Sequence, residues 1–128
     1  MSYYFAKRVD LSFDQAVTRV TEELKKEGFG ILTTIDVRDT LRKKMDVDFR
    51  RYLILGACNP PFAYQALQAE DKIGLMLPCN VIVQEHPAGG SEVAAIDPKA
   101  SMAAVPNEKL AAVAGEVGAK LRRVVGNV

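Results

Sequence analysis

Positions 3–9 alternate, with Tyr3, Phe5 and Val9 on one side and Tyr4, Ala6 and Arg8 on the other, which predicts a strand with one buried face, broken at Lys7. The period then changes. Phe13, Ala16, Val17, Val20 and Leu24 recur at helical spacing while Arg19, Glu22, Glu23, Lys25 and Lys26 keep to the opposite side, so a helix follows. Ser12 with Gln15 gives it a capping box, Leu11 a hydrophobic staple and Gly28 a left-handed stop. The β-branched run 30–37 predicts a second strand with Ile31, Thr33, Ile35 and Val37 on one face. Positions 39–45 are charged, and Leu41 and Met45, four apart, predict a short helix capped by Asp39 and resting on the body through those two residues.

Positions 49–58 read as a central strand, because Tyr52, Ile54, Gly56 and Cys58 alternate with Leu53, Leu55 and Ala57 and both sets are largely apolar. Asn59 before Pro60 matches an N-cap followed by proline at the first helical position, and predicts a short helix over 62–68. Positions 73–84 predict one long or bent strand in which Leu75, Leu77, Cys79, Val81 and Val83 share a face and Pro78 imposes a bulge or an edge. His86-Pro87-Ala88-Gly89-Gly90-Ser91 is a turn cluster, so 92–96 returns antiparallel and Asp97-Pro98 closes it. Leu110, Val113, Val117, Leu121 and Val124 predict a final helix opened by Pro106 or Asn107 and ended by Gly126. Gly115 and Gly118 weaken it by about 1 kcal/mol each against alanine and call for a packing reason.

This order predicts one α+β domain over residues 1–128, a mostly antiparallel sheet with two longer helices on one face and short extra helices. The second sheet face must meet solvent or another copy. The apolar character of Leu53, Leu55, Met76 and Ile82 on both sides favours a homodimer.

Composition changes this picture little. A chain of 128 residues can bury enough surface to fold without a metal or disulfide, and no cofactor is expected. Lys and Arg number 17 against 16 Asp and Glu, too even a balance for a broad grip on nucleic acid or an anionic membrane, and neither partner is expected. Positions 1–8 lack the pattern of a secretory signal and no run reaches the ~18 apolar residues of a membrane span, so the cytoplasm is the expected location. Two cysteines there are expected to be free thiols or a transient pair. Arg38, Arg42, Lys43, Lys44, Arg50 and Arg51 crowd together, but Asp36, Asp39, Asp46 and Asp48 interleave and fit a solvated surface with local ion pairs.

Candidate chemistry rests on two Cys-Asn dipeptides, each beside a proline: Cys58-Asn59 before Pro60, and Cys79-Asn80 after Pro78. Cys58 falls before a predicted helix N-terminus, whose N–H groups would favour its thiolate and make it the candidate catalytic residue. Cys79 shares parity with Leu77 and Val81, so burial would raise its pKa and silence it, while Asn80 points the other way as an uncharged donor and acceptor. If the fold joins the two segments, Cys58, Asn59, Pro78, Cys79 and Asn80 line a pocket for a small molecule. His86 is the one histidine, and neither Cys-x-x-Cys nor His-x-x-x-His spacing occurs, so no metal ligands are assigned.

Glu27-Gly28-Phe29-Gly30, Ile35-Asp36-Val37, Asp48-Phe49-Arg50, Leu55-Gly56-Ala57-Cys58-Asn59-Pro60, Leu77-Pro78-Cys79-Asn80-Val81 and Ala95-Ile96-Asp97-Pro98 resemble, over nearly the whole chain, the bacterial and archaeal domain of unknown function 302 family. The resemblance implies a TATA-box-binding-protein-like fold in β-α-β(4)-α order, with dimers and without DNA binding as a consequence. Family members often carry an acidic residue where this chain has Thr34, so no role for that carboxylate transfers. No settled activity comes with the resemblance. The first expectation is therefore a dimeric small-ligand-binding or interaction module; the alternatives are sulfur transfer or redox chemistry at Cys58 with Cys79, and, third, a metal-binding protein.

Overall fold

The alternating segments form one antiparallel sheet of five strands in the order β1-β5-β4-β3-β2, in a computed structural model that describes residues 2–128. The elements run β1 (Tyr4–Val9), α1 (Phe13–Lys26), β2 (Gly30–Asp36), α2 (Val37–Met45), β3 (Tyr52–Cys58), α3 (Pro60–Ala69), a 3-10 helix (Asp71–Met76), β4 (Cys79–Glu85), β5 (Ser91–Ile96), α4 (Pro98–Ser101) and α5 (Glu108–Gly126). Among the described residues, no helix is long and apolar enough to cross a membrane.

Helix α1 begins as its capping box dictates: Ser12 Oγ accepts from the Gln15 N–H at 3.2 Å, and Gln15 Oε1 from the Ser12 N–H at 3.1 Å. Its apolar stripe of Ala16, Val20 and Leu24 packs with Leu110, Leu121 and Val124 of α5 over one sheet face, burying Leu55, Val81, Val83 and Val93. That layer is the core. Lys7, the apparent break in β1, lies on this same face at the sheet edge and donates through Nζ to the carbonyls of Gly126 and Val128, both at 3.0 Å. A cation there satisfies acceptors left open at a helix C-terminus.

Several expectations are corrected. Residues 71–76 are helical, so the long strand shrinks to β4; Ile73 is buried while Leu75 is 86% exposed, an order incompatible with a shared strand face. Pro78 precedes β4 after a cis peptide, and makes neither a bulge nor an edge strand. The register of β2 on β3 slips between Ile31 and Thr33, leaving Leu32 as the extra residue. A bulge reverses side-chain parity, so Ile31 faces the core and Ile35 the opposite side.

Helix α2 starts at Val37 because Asp36, rather than Asp39, caps it: Asp36 Oδ1 accepts from the Asp39 N–H at 2.9 Å. Met45 is 66% exposed and does not anchor it. The apolar character of the second face comes from Ile54 and Ile82; Leu53 and Leu55 belong with Val83 and Val81 on the covered face, and Met76 lies outside the sheet. Helix α4, which no periodicity announced, is one turn capped by Asp97 with Pro98 at its start.

Candidate functional site

Residues Ala57 and Cys79 are register partners on β3 and β4, which brings the two Cys-Asn segments together at one end of the sheet. Cys58, Asn59, Pro78 and Cys79 line one cavity, closed from the helix side by Phe62 and Val113 among others. Its volume is about 30 Å³, room for about one water molecule. Asn80 does not join them. It pairs with Gly56 and faces the uncovered side of the sheet, in a shallow groove of about 370 Å³ with Tyr4, Tyr52, Ile82, Gln84 and Ile96.

The two thiols differ in setting. Cys79 is 9% exposed, and desolvation, helped by the neighbouring Cys58, pushes its pKa up to about 11. It is therefore a neutral thiol at physiological pH, as its parity with the core residues foretold. Cys58 is half-buried at the end of β3, immediately before α3.

Asn59 occupies the N-cap position of α3 without capping it; its side-chain amide donates instead to the Glu27 carbonyl at 3.1 Å. That bond ties the start of α3 to the end of α1. Gly28, in the left-handed region at φ 87°, leaves the room the amide needs, since a Cβ there would come 3.1 Å from Asn59 Nδ2. The Glu27 carboxylate receives Arg123 Nη2 at 3.0 Å and Nε at 3.2 Å, with Lys120 Nζ at 3.8 Å. Hydrogen bonding from Arg123 holds this carboxyl below its ordinary value, against the opposing effect of partial burial.

Sequence reasoning missed the helix-side walls of the cavity, Phe29, Pro98, Met102, Val113 and Val117. The period of α5 could have supplied Val113 and Val117; nothing local marks Met102. Among the described residues, no three His, Cys, Asp or Glu side chains gather in a way that could hold a metal ion.

The second feature is the uncovered face itself. A row of register partners, Ala6, Ala94, Ile82, Ile54 and Ile35, crosses all five strands without one polar side chain. Beside it runs the polar row Arg8, Glu92, Gln84 and Tyr52. Arg50 Nε donates to Gln84 Oε1 at 2.8 Å, and Gln84 Nε2 to Glu92 Oε1 at 2.9 Å, linking cation, amide and carboxylate along one side of the apolar stripe.

A family profile described as "Domain of unknown function DUF302" matches residues 5–128. The crystal structure of an uncharacterized conserved DUF302 protein from Bacillus stearothermophilus superposes with a TM-score of 0.92 at 25% sequence identity, covering 99% of this chain and 98% of that one. No curated protein matches the chain.

Proposed function

The chain belongs to the DUF302 family of unknown function, and from that premise we propose that it works as a homodimeric interaction module, two copies pairing through the uncovered faces of their sheets. One observation carries this reading. The apolar stripe is low at one end, where Ala6 and Ala94 stand on β1 and β5, and tall at the other, where Ile54 and Ile35 stand on β3 and β2.

A two-fold axis lying between the sheets and parallel to the strands reverses the strand order of the partner. Ala94 then faces Ile54 of the second copy, Ala6 faces its Ile35, and Ile82 on the central strand meets its own counterpart. Tall side chains enter low ground on both sides, as an isologous contact requires. The same operation brings Glu92 on β5 opposite the β3 side, where Arg50 lies along Tyr52. Sheets stacked in this way sit about 10 Å apart with interdigitated side chains.

The test is a size swap read by sedimentation equilibrium. Ala94→Ile should weaken the dimer by filling the low half, and adding Ile54→Ala should restore it, because a large residue again faces a small one. A wild-type monomer at about 100 μM, well above the Kd expected of a standard interface, would defeat the proposal. Thiol chemistry is the second reading, favoured by the shared cavity of Cys58 and Cys79. It would have to operate with Cys79 protonated and with room for about one water.

A further inference from the structure

Beside the apolar stripe of the uncovered face, on the side opposite the polar row, lies a further row: Tyr4 on β1, Ile96 on β5, Asn80 on β4, Gly56 on β3 and Thr33 on β2. Its relief runs the other way. In the stripe, β1 and β5 are low and β3 and β2 tall; here Tyr4 and Ile96 stand tall on β1 and β5, and β3 carries no side chain at all. Gly56 leaves no space for one, because a Cβ there would run into Thr33 Oγ1 and Pro78 Cγ.

The two-fold axis parallel to the strands reverses strand order and leaves position along the strands unchanged. It therefore lays Ile96 over Gly56 of the second copy and Tyr4 over its Thr33, so one operation fits two rows of opposite slope. An axis running across the strands along the stripe would instead set Ile54 on Ile54 and Ala94 on Ala94, tall on tall and low on low.

The parallel axis passes over β4, whose residues on this face, Gln84, Ile82 and Asn80, meet their own counterparts. Gln84 is already engaged on both sides, by Arg50 and Glu92. Asn80 is exposed, and its side-chain amide has no hydrogen-bond partner among the described residues. A primary amide carries donor and acceptor side by side, so it is complementary to its own two-fold image. With sheets about 10 Å apart and each amide reaching about 3.5 Å from its backbone, the two come within about 3 Å of each other. We infer that Asn80, within the pairing proposed above and resting on it, selects the partner and its register by exchanging two N–H···O bonds with Asn80 of the second copy across the axis. A displaced pairing would bury the same amide against apolar side chains with nothing to bond, which costs more than an ordinary hydrogen bond gains.

Sedimentation equilibrium on Asn80→Asp and Asn80→Lys, each alone and then mixed in equal amounts, tests this. Either variant alone sets like charges face to face on the axis and should weaken the dimer at least about tenfold. Position 80 is exposed, so the folded monomer, followed by thermal melting, should be preserved in both. Mixed, the two should form a heterodimer within about threefold of the wild-type Kd, an outcome open only to a residue that faces itself. Charge variants that each associate like wild type, or a mixture no tighter than its components, would overturn the role of Asn80. Those results leave the size swap at Ala94 and Ile54 standing, whereas a monomeric wild type removes the pairing and the role of Asn80 together, so the two failures are told apart.

Discussion

The two faces of the sheet are built by the same strands from alternate residues, and both carry a run of apolar side chains across the strands, yet they meet different fates. Leu55, Val81, Val83 and Val93 lie under α1 and α5 with at most 2% exposure, whereas Ile54, Ile82 and Ile96 on the other face keep partial contact with solvent and Ile35 is 48% exposed. Hydrophobicity alone does not say which face is the core. What differs is that the chain supplies two amphipathic helices, enough to cover one side. The second face is left with a size gradient from alanine to isoleucine, the pattern on which the proposed pairing of two copies rests.

Neighbouring residues sharpen this contrast most. Leu55→Ala should cost about 2–5 kcal/mol in denaturant unfolding at any protein concentration, because it opens a cavity in the covered layer. Ile54→Ala, one residue away, should cost about 1 kcal/mol in dilute solution and more as concentration rises, since its remaining contribution comes through association. Equal, concentration-independent losses would erase the distinction between the faces.

The covered layer also carries an alkaline signature. The Cys79 pKa is raised on folding, so the stability linked to its neutral thiol is fully present below the unfolded value near 9.0 and is lost as pH climbs toward about 11. Thermal scans from about pH 8 to about pH 11 should show a fall, worth up to about 2–3 kcal/mol, that Cys79→Ala lacks. At neutral pH iodoacetamide should label half-buried Cys58 before Cys79, with both reacting alike only in denaturant.

Smaller effects come from the helices that do the covering. Gly115 and Gly118 sit where α4 meets α5, and a Cβ at either would find ordinary contact, 3.6 Å from Lys99 Cε and 3.5 Å from Asp97 Oδ1 respectively. The contact is close but leaves room for a methyl group, so Gly118→Ala should raise stability by about 0.5–1 kcal/mol. Glu27→Gln should cost no more than about 1 kcal/mol at neutral pH. The wild-type carboxyl titrates below its ordinary value in the folded state, so its contribution is present above the unfolded value of 4.5 and disappears as pH falls further. Melting curves of wild type and variant should therefore converge as pH falls below 4.5.

Much of this was written locally. The capping box of α1, the stripe of α5, the hairpin at Gly89-Gly90 and the opposed parities of Cys79 and Asn80 all follow from spacing, because helix and strand periods depend only on neighbours along the chain. Residues 73–76 were expected in a strand because a short apolar run with a glycine fits either period. The parity of Ile35 was lost because a bulge leaves no composition mark at Leu32.

Local pattern was enough to place most of the strands, the two covering helices and the candidate residues Cys58, Asn59, Pro78 and Cys79. That those four share a cavity about one water wide, and that Asn80 stands on the other face, emerged only from the packed chain. The difference is one of range: periodicity and caps are set within a few residues, while the volume left between packed layers depends on side chains brought together from distant parts of the chain.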